Sequence, residues 1–77
     1  MIEFSDHAKT AMRKHGITED EIMKAMIDGV TEFELLVDGE KRYGNVLAEK
    51  ARRLIVVWCH KGANKRVITC YPLKRKG

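Results

Sequence analysis

The 77-residue chain has only two cysteines, one proline and no long apolar run. Its longest apolar run, Leu54 to Cys59, is far shorter than the roughly 20 residues of a membrane-spanning helix. The few Cys and His residues lack the spacing of zinc ligands, and there is no internal repeat or low-complexity segment. These absences exclude a helical membrane protein, a structural zinc domain and a repeat protein.

The beginning of the chain has no basic segment leading into an apolar one. We therefore expect no signal peptide, a cytoplasmic location and no membrane contact. A chain of this length has room for one hydrophobic core, so we predict a single domain over residues 1–77. We expect neither a metal nor a cofactor.

The two cysteines fall on the last two predicted strands. If that hairpin turns around Gly62, Cys59 lies opposite Arg66 and Cys70 lies opposite Ile55. The two sulfurs are then four positions apart, roughly 13 Å at about 3.3 Å per residue, which exceeds the reach of a disulfide. We predict both cysteines as small apolar residues of the core.

Acidic residues are almost absent from the second half of the chain. Residues 41–77 contain eleven Lys and Arg against Glu49 alone, whereas residues 1–40 contain four basic and ten acidic residues. A positive field on one half of a small domain attracts polyanions such as phosphate backbones. The alternative is a solvated basic face that only keeps the protein soluble.

Two short amphipathic helices are predicted near the start of the chain. The first begins at Ser5 or Asp6 and ends near His15. The second begins at a capping box formed by Thr18 and Glu21. Their predicted buried residues follow the i, i+3, i+4 spacing of an apolar stripe: Ala8, Ala11, Met12, Ile22, Ala25 and Met26.

Alternating polar and apolar residues predict strands in the rest of the chain. Asp38-Gly39 predicts a two-residue hairpin that places Tyr43 across from Glu34. Residues 53–60 and 65–71, which are rich in Val and Ile, are predicted as the last two strands.

These elements predict an α+β domain with two N-terminal helices packed on a four-stranded antiparallel sheet. Ile2 to Phe4 is predicted as a short edge strand or an extended lead-in. Residues 48–53 are predicted as a charged turn between two strands.

The last hairpin has two unlike faces. The uniformly apolar face is predicted to lie under the helices and contains Ile55, Val57, Cys59, Ile68 and Cys70. The other face is predicted to be open and contains Leu54, Val56, Trp58, His60, Lys65, Val67, Thr69 and Tyr71. Trp58 and Tyr71 offer stacking surfaces beside Lys65, an arrangement that suits single-stranded nucleic acid. Alternatively, the two aromatic residues fill a second small core or an oligomer interface.

Short motifs at both ends of the chain suggest a family: His7-Ala8, Met12, Gly16-Ile17, Glu21-Ile22 and Val67-Ile68-Thr69-Cys70-Tyr71. With these motifs the chain resembles a small bacterial family of domains of unknown function grouped with the RelE, ParE and BrnT-like toxins of type II toxin–antitoxin systems. The resemblance spans nearly the whole chain. It implies a RelE-like fold, metal-independent endoribonuclease activity and a cognate antitoxin partner. One branch of the superfamily, the ParE-like proteins, acts on DNA gyrase.

The resemblance also suggests site residues. His7 matches the histidine at the helix start, where the helix dipole favours the neutral, base-competent imidazole, and Thr69 and Tyr71 match the hydroxyl-bearing residues of the final strand. Many members have an arginine where this chain has Ala11. Cleavage of RNA without a metal needs a base, an acid and a cation that stabilises the transition state, and the cation must come from elsewhere: Arg66, Lys65, Arg13 or Lys14.

We therefore predict a catalytic set and a nucleic-acid-binding set. The catalytic set is His7, Arg66, Thr69 and Tyr71. The nucleic-acid-binding set is Lys14, Trp58, Lys65, Arg52, Arg53 and Lys74. The roles of His15 and His60 stay open.

The leading hypothesis is an endoribonuclease-like toxin that cuts mRNA, either free or on the ribosome. Its antitoxin is expected to lay an acidic amphipathic segment over the basic half, and the free protein is expected to be a monomer or weak dimer. The alternatives are a non-catalytic module that binds RNA or a protein, and a ParE-like gyrase inhibitor.

Overall fold

A computed structural model describes residues 1–49 and 52–74, with side chains up to Leu73. Residues 50 and 51 of the predicted charged turn lie outside the described residues. The elements follow in the order β1 (Ile2–Phe4), α1 (Asp6–His15), α2 (Glu19–Asp28), β2 (Val30–Val37), β3 (Glu40–Ala48), β4 (Arg52–Lys61) and β5 (Asn64–Lys74). Within the described ranges, neither helix is long and apolar enough to cross a membrane.

The strands form one mixed five-stranded sheet in the order β1-β5-β4-β3-β2. Strand β1 runs parallel to β5, with Ile2 opposite Lys65 and Phe4 opposite Val67, and the other neighbours are antiparallel. The α+β class with two helices is confirmed, but the prediction of four purely antiparallel strands is wrong. A three-residue strand is too short to show a period of two, and β1 is a strand because β5 offers it an edge.

Both helices begin and end where the sequence predicts. The Ser5 hydroxyl accepts a hydrogen bond from the Ala8 amide at 3.0 Å. The Thr18 hydroxyl accepts from the Glu21 amide, and the Glu21 carboxylate accepts from the Thr18 amide. Gly16 follows α1 with φ of 64°, a conformation that glycine adopts without steric cost. These contacts are local, so sequence alone predicts them well.

The hairpin between β2 and β3 is also confirmed. Asp38 and Gly39 have φ of 50° and 78°, as a type I′ turn requires at both central positions. The turn sets Val37 opposite Glu40 and, further along, Glu34 opposite Tyr43. The position of Glu40, directly after this tight turn, is therefore fixed by the backbone.

The predicted orientation of the last hairpin is wrong, because the helices cover the other face. Their core contains Leu54, Val56, Trp58, Val67 and Cys70. The more uniformly apolar face was expected under the helices. The helices instead cover the face that contains Trp58, the largest aromatic residue of the chain. Ile55, Val57 and Cys59 therefore lie on the face opposite the helices.

A β-bulge near Ile68 changes the register of β5. Val57 pairs with Thr69 while the next residue, Trp58, pairs with Val67, so Ile68 is the extra residue. The bulge shifts Cys70 from the predicted partner Ile55 to Val56. Bulges bend a strand and re-aim side chains, and this one turns Cys70 toward the helices, where Val67 already lies.

The two cysteines therefore lie on opposite faces of the sheet. Cys59 pairs with Arg66 as predicted, and both thiols are free and buried. The prediction that they do not form a disulfide is confirmed.

Asn45 organises the polar part of the core. Its side-chain oxygen accepts hydrogen bonds from the Trp58 indole at 2.8 Å and from the Thr31 hydroxyl at 2.7 Å. Its amide nitrogen donates to the Ala25 carbonyl at 3.2 Å. Asn45 is 3% exposed, so these bonds join α2, β2, β3 and β4 inside the protein.

Replacing Asn45 tests this network. We expect Asn45→Leu to lower the free energy of unfolding by about 1–3 kcal/mol, because it leaves the buried Trp58 N–H without an acceptor. Urea denaturation measures the change. Thr31→Val is the matched control, and we expect about 0.5 kcal/mol or less because Thr31 is exposed. Equal losses in the two variants would contradict the role of Asn45.

Arg52 joins the start of β4 to the start of α2. Its guanidinium donates to the Glu21 carboxylate at 2.7 Å and lies 3.6 Å from Glu49. Partial burial alone raises the pKa of Glu21, but the hydrogen bonds from Arg52 and the Thr18 amide outweigh it and lower the pKa below the ordinary 4.5. Glu21 thus serves both the capping box and this ion pair.

The lowered pKa of Glu21 predicts a pH-dependent stability. A carboxyl whose pKa is lowered by folding contributes fully above its unfolded pKa, and the contribution is lost as pH falls through the folded value. We expect Glu21→Gln to cost about 1 kcal/mol at pH 7. The difference from the wild type should shrink from about pH 5 downward. Urea melts at pH 7 and pH 3 measure it, with Glu19→Gln as control, and a constant difference would refute the coupling.

Candidate functional site

A pocket of about 290 Å³ lies on the face of the sheet opposite the helices. It is lined by Ser5, His7, Glu40, Arg42, Cys59, Arg66 and Ile68. These residues come from the start of α1 and from β3, β4 and β5, so the pocket exists only in the folded chain.

The sheet register brings two arginines together. Cys59 of β4 pairs with Arg66 of β5 on one side. On the other side of Cys59, strand β3 pairs with β4 as far as Tyr43 and Trp58. Continuing this antiparallel register by one residue places Arg42 beside Cys59. Side chains of neighbouring strands at the same level point to the same face. Two guanidinium groups therefore flank one thiol at the floor of the pocket.

Helix α1 supplies His7. The Ser5 amide donates to the Val67 carbonyl at 3.0 Å, and the Ser5 hydroxyl donates to the Ile68 carbonyl at 2.9 Å. These two bonds fasten the start of α1 to β5 at the bulge. His7, the second residue of the helix, is exposed and lines the pocket beside Arg66.

The pocket has an excess of positive charge. Arg42 and Arg66 oppose a single carboxylate, Glu40, whose oxygen lies 3.9 Å from the Arg42 Nε atom. That separation is longer than a hydrogen bond, and the buried Arg42 Nε–H has no hydrogen-bond partner in the described part of the protein. The two guanidinium groups thus bring N–H donors and a positive charge to the pocket, the combination that binds an anionic oxygen.

Cys59 does not offer a reactive thiolate. Burial raises the pKa of the Cys59 thiol, and a hydrogen bond to Glu40 and the charge of that carboxylate raise it further, against the smaller opposing effects of Arg42 and Arg66. A thiol with a raised pKa stays protonated at neutral pH and is a poor nucleophile and metal ligand. Within residues 1–49 and 52–74, no cluster of three or more His, Cys, Asp or Glu could hold a metal ion.

Of the predicted catalytic residues, His7 and Arg66 meet in the pocket. Thr69 pairs with Val57 and Tyr71 with Ile55, so both side chains share the face but lie further along it. Measured from Cys59 along β4, they are two and four residues away, roughly 7 and 13 Å. Thr69 and Tyr71 are therefore neighbours of the pocket and not part of its lining.

Trp58 is not on this surface, and the expectation that it stacks on bases is wrong. It is 6% exposed under the helices. Its ring stacks on Tyr43 with centroids 4.8 Å apart and contacts His60 edge-on at 5.0 Å. The Lys65 Nζ atom lies 4.7 Å from the Trp58 ring. Lys65 and His60 thus complete an aromatic cluster on the helix side of the sheet.

The other predicted nucleic-acid-binding residues are dispersed. Lys14 is exposed in the last turn of α1, away from the pocket face. Arg52 is held by Glu21 and Glu49. Arg53 lies two residues before Ile55 on β4, so its side chain is on the pocket face. It is exposed there. The Lys74 side chain lies outside the described residues.

The face around the pocket is also more apolar than predicted. Ile55 and Val57 are each 6% exposed there. Gly44 pairs with both Phe33 and Val57, and the Phe33 ring lies where a β-carbon on Gly44 would be. The pocket is thus a cationic site beside an apolar strip.

Sequence reasoning missed Glu40, Arg42 and Cys59 as pocket residues. The predicted pairing of Cys59 with Arg66 could have identified Cys59 as a pocket residue. Arginine is rarely buried, so Arg66 and its partner Cys59 are expected on the face that the helices leave open. The Asp38-Gly39 turn predicts how β3 pairs with β2. The register of β3 against β4 depends on long-range contacts, and no local sequence pattern predicts it.

Comparison with known proteins gives a family but no activity. A family model described as a domain of unknown function, DUF4258, matches residues 4–72. This match covers every pocket residue and most of the chain. No curated protein matches the sequence.

The two thiols test the geometry of the pocket. The Cys70→Ser variant keeps only Cys59, and the Cys59→Ser variant keeps only Cys70. We expect Cys59 to react faster with a thiol reagent at pH 8, because it lines the pocket whereas Cys70 is 1% exposed. Burial raises the pKa of both thiols, so both should react roughly tenfold or more faster once urea unfolds the protein. Faster labelling of Cys70 than of Cys59 in the folded state would contradict the pocket.

Proposed function

Since the chain belongs to the DUF4258 family, a domain of unknown function, we propose its function from the pocket: it is a metal-independent endoribonuclease. One observation carries the proposal, namely that His7, Arg42 and Arg66 line the same cleft. An imidazole beside two guanidinium groups supplies a base and a cradle for phosphate oxygens. Both are needed when a phosphodiester is broken without a metal.

The reaction follows from these groups. His7 takes the proton of the ribose 2′-hydroxyl as a general base, and the 2′-oxygen attacks the adjacent phosphorus. The bond from phosphorus to the 5′-oxygen of the next nucleotide breaks, and that oxygen leaves with a proton from water. The products are a 2′,3′-cyclic phosphate and a 5′-hydroxyl end. Arg42 and Arg66 stabilise the negative charge that builds up on the non-bridging oxygens.

The same face suits the rest of the strand. Tyr71 is 36% exposed and lies roughly 13 Å from the pocket level, about two nucleotides along an extended strand. There it can stack on a base, with Thr69 in between and Arg53 beyond as phosphate contacts. We therefore keep Thr69 and Tyr71 in the proposal as substrate-binding residues.

The proposal includes kinship with the RelE, ParE and BrnT-like toxins. Two N-terminal helices packed on one face of a twisted sheet, with the opposite face bearing the site, support that kinship. A cognate antitoxin with an acidic segment would neutralise Arg42 and Arg66 directly, and cytoplasmic RNA, free or on the ribosome, is the expected target.

A non-catalytic RNA-binding module is the second candidate, and one observation favours it. Burial raises the pKa of the Cys59 thiol, so this pocket residue is a poor proton donor to the leaving oxygen. The position where many relatives in the resembled family have arginine is Ala11, which packs against the core. Such a module would hold RNA through the arginines and leave it intact.

Two pocket variants distinguish the candidates. We expect His7→Asn to slow cleavage of a single-stranded RNA by about 10²–10⁴-fold and Arg66→Gln by about 10²–10³-fold, with unchanged circular dichroism. Lys24→Gln, an exposed charge on α2, is the control and should cleave normally. Gel analysis of 5′-labelled RNA measures the rates.

The outcomes separate cleanly. If the wild type retains RNA with an affinity that falls steeply with salt but never cuts it, the non-catalytic module is correct. If His7→Asn and Arg66→Gln both cleave like the wild type, neither residue acts in the reaction and the proposed site is wrong.

A further inference from the structure

Among the residues that the structure describes, Glu40 is the one acidic side chain in the lining of a pocket otherwise suited to anions. We infer that Glu40 makes this pocket select phosphate groups with a single negative charge, the internal phosphodiesters of a strand, over terminal phosphates that carry nearly two. The inference rests on the proposed function, because it concerns the same pocket, but it assigns to Glu40 a separate role in specificity.

The backbone holds Glu40 at the pocket. It is the first residue of β3 and follows the tight turn at Asp38 and Gly39, both with positive φ. Arg42 lies two residues further along the same strand, so both side chains project from the same face. Glu40 therefore cannot leave the pocket by a register slip without moving Arg42 as well.

Side-chain contacts also direct the Glu40 carboxylate inward. It lies 3.9 Å from the Arg42 Nε atom and lines the same pocket as Cys59. The 3.9 Å separation is longer than a hydrogen bond, so Glu40 does not occupy an N–H donor of Arg42. The Arg42 guanidinium can thus bind a phosphate oxygen while Glu40 stays nearby.

The charge balance then sets the preference. Arg42 and Arg66 together carry two positive charges, and Glu40 removes one. Glu3 lies opposite Arg66 on β1, but it pairs with Lys61 at 3.6 Å, so this second pair adds no net charge. The pocket therefore matches a ligand with one negative charge. A phosphodiester has one such charge, whereas a phosphate monoester has nearly two above its second pKa of about 6. The second charge of a monoester meets the Glu40 carboxylate at close range, and like charges juxtaposed at a site weaken binding.

This preference would suit an enzyme that acts within a strand. Terminal phosphates, free phosphate and mononucleotides are abundant competitors for any pair of arginines. A carboxylate in the pocket discriminates against all of them by charge alone, without reading a base. Specificity of this kind arises from a repulsive element in the site.

Small probes test the inference with the full-length protein. Dimethyl phosphate represents the diester and monomethyl phosphate the monoester, and backbone amide shifts of His7, Arg42 and Arg66 report binding in NMR titrations at pH 7.5. We expect the wild type to bind the diester at least as tightly as the monoester. In Glu40→Gln, monoester affinity should rise about tenfold and diester affinity about threefold or less.

Glu34→Gln is the matched control, because Glu34 is an exposed acid that pairs with Tyr43 on the helix side. It should change neither affinity, and Arg66→Gln should weaken both. Equal strengthening of the two probes in Glu40→Gln, or no strengthening of the monoester, overturns the inference. In that case RNA cleavage that depends on His7 and Arg66 would still support the proposed function. If neither probe shifts the pocket amides of the wild type, both ideas fail.

Discussion

The attachment of Ser5 to the bulged strand β5 is the constraint on which the site depends. Two hydrogen bonds, to the Val67 and Ile68 carbonyls, hold the helix start against the strand. Beside this attachment, ordinary strand alternation places Arg66 in the pocket and Val67 in the core, and the bulge at Ile68 keeps Thr69 and Tyr71 on the pocket face. The attachment therefore positions the imidazole, and the bulge aligns the rest of β5 with the pocket. Without the bulge, a regular strand would keep the pairing of Cys59 with Arg66 but turn Tyr71 and Thr69 toward the helices.

The pocket is built on rigid elements. Arg42, Cys59 and Arg66 lie on three adjacent strands of the sheet, and buried Asn45 fastens the first two of them, β3 and β4, to α2 from the other side. Groups that must surround a developing charge are more effective when they are already in place. The hydrogen-bond network of Asn45 and the pocket thus lie on opposite faces of the same sheet. By stabilising the sheet, the network also holds the strands that position the pocket residues.

Local signals predicted the local features. The caps at Ser5 and Thr18 and the turn at Asp38 depend on residues close in sequence, and the structure confirms them. The face of β4 was assigned wrongly because both of its faces are apolar in the sequence, so alternation could not tell which side the helices cover. The bulge at Ile68 and the pairing of β1 were not foreseen either. The alternation of polar and apolar residues does not mark the bulge, and β1 pairs with a strand more than sixty residues away. His7 and Arg66 could be predicted as site residues from the sequence. Arg42 could be identified only from the register of the folded sheet.

The position of Trp58 has a practical consequence for spectroscopy of this protein. It is the sole tryptophan, enclosed by the helix layer and hydrogen-bonded through its indole nitrogen, with the sheet between it and the pocket. Its fluorescence is therefore a gauge of core integrity that is screened from whatever occupies the opposite surface. A spectral change on adding a ligand would indicate rearrangement of the interior, and an unchanged spectrum would carry no information about occupancy.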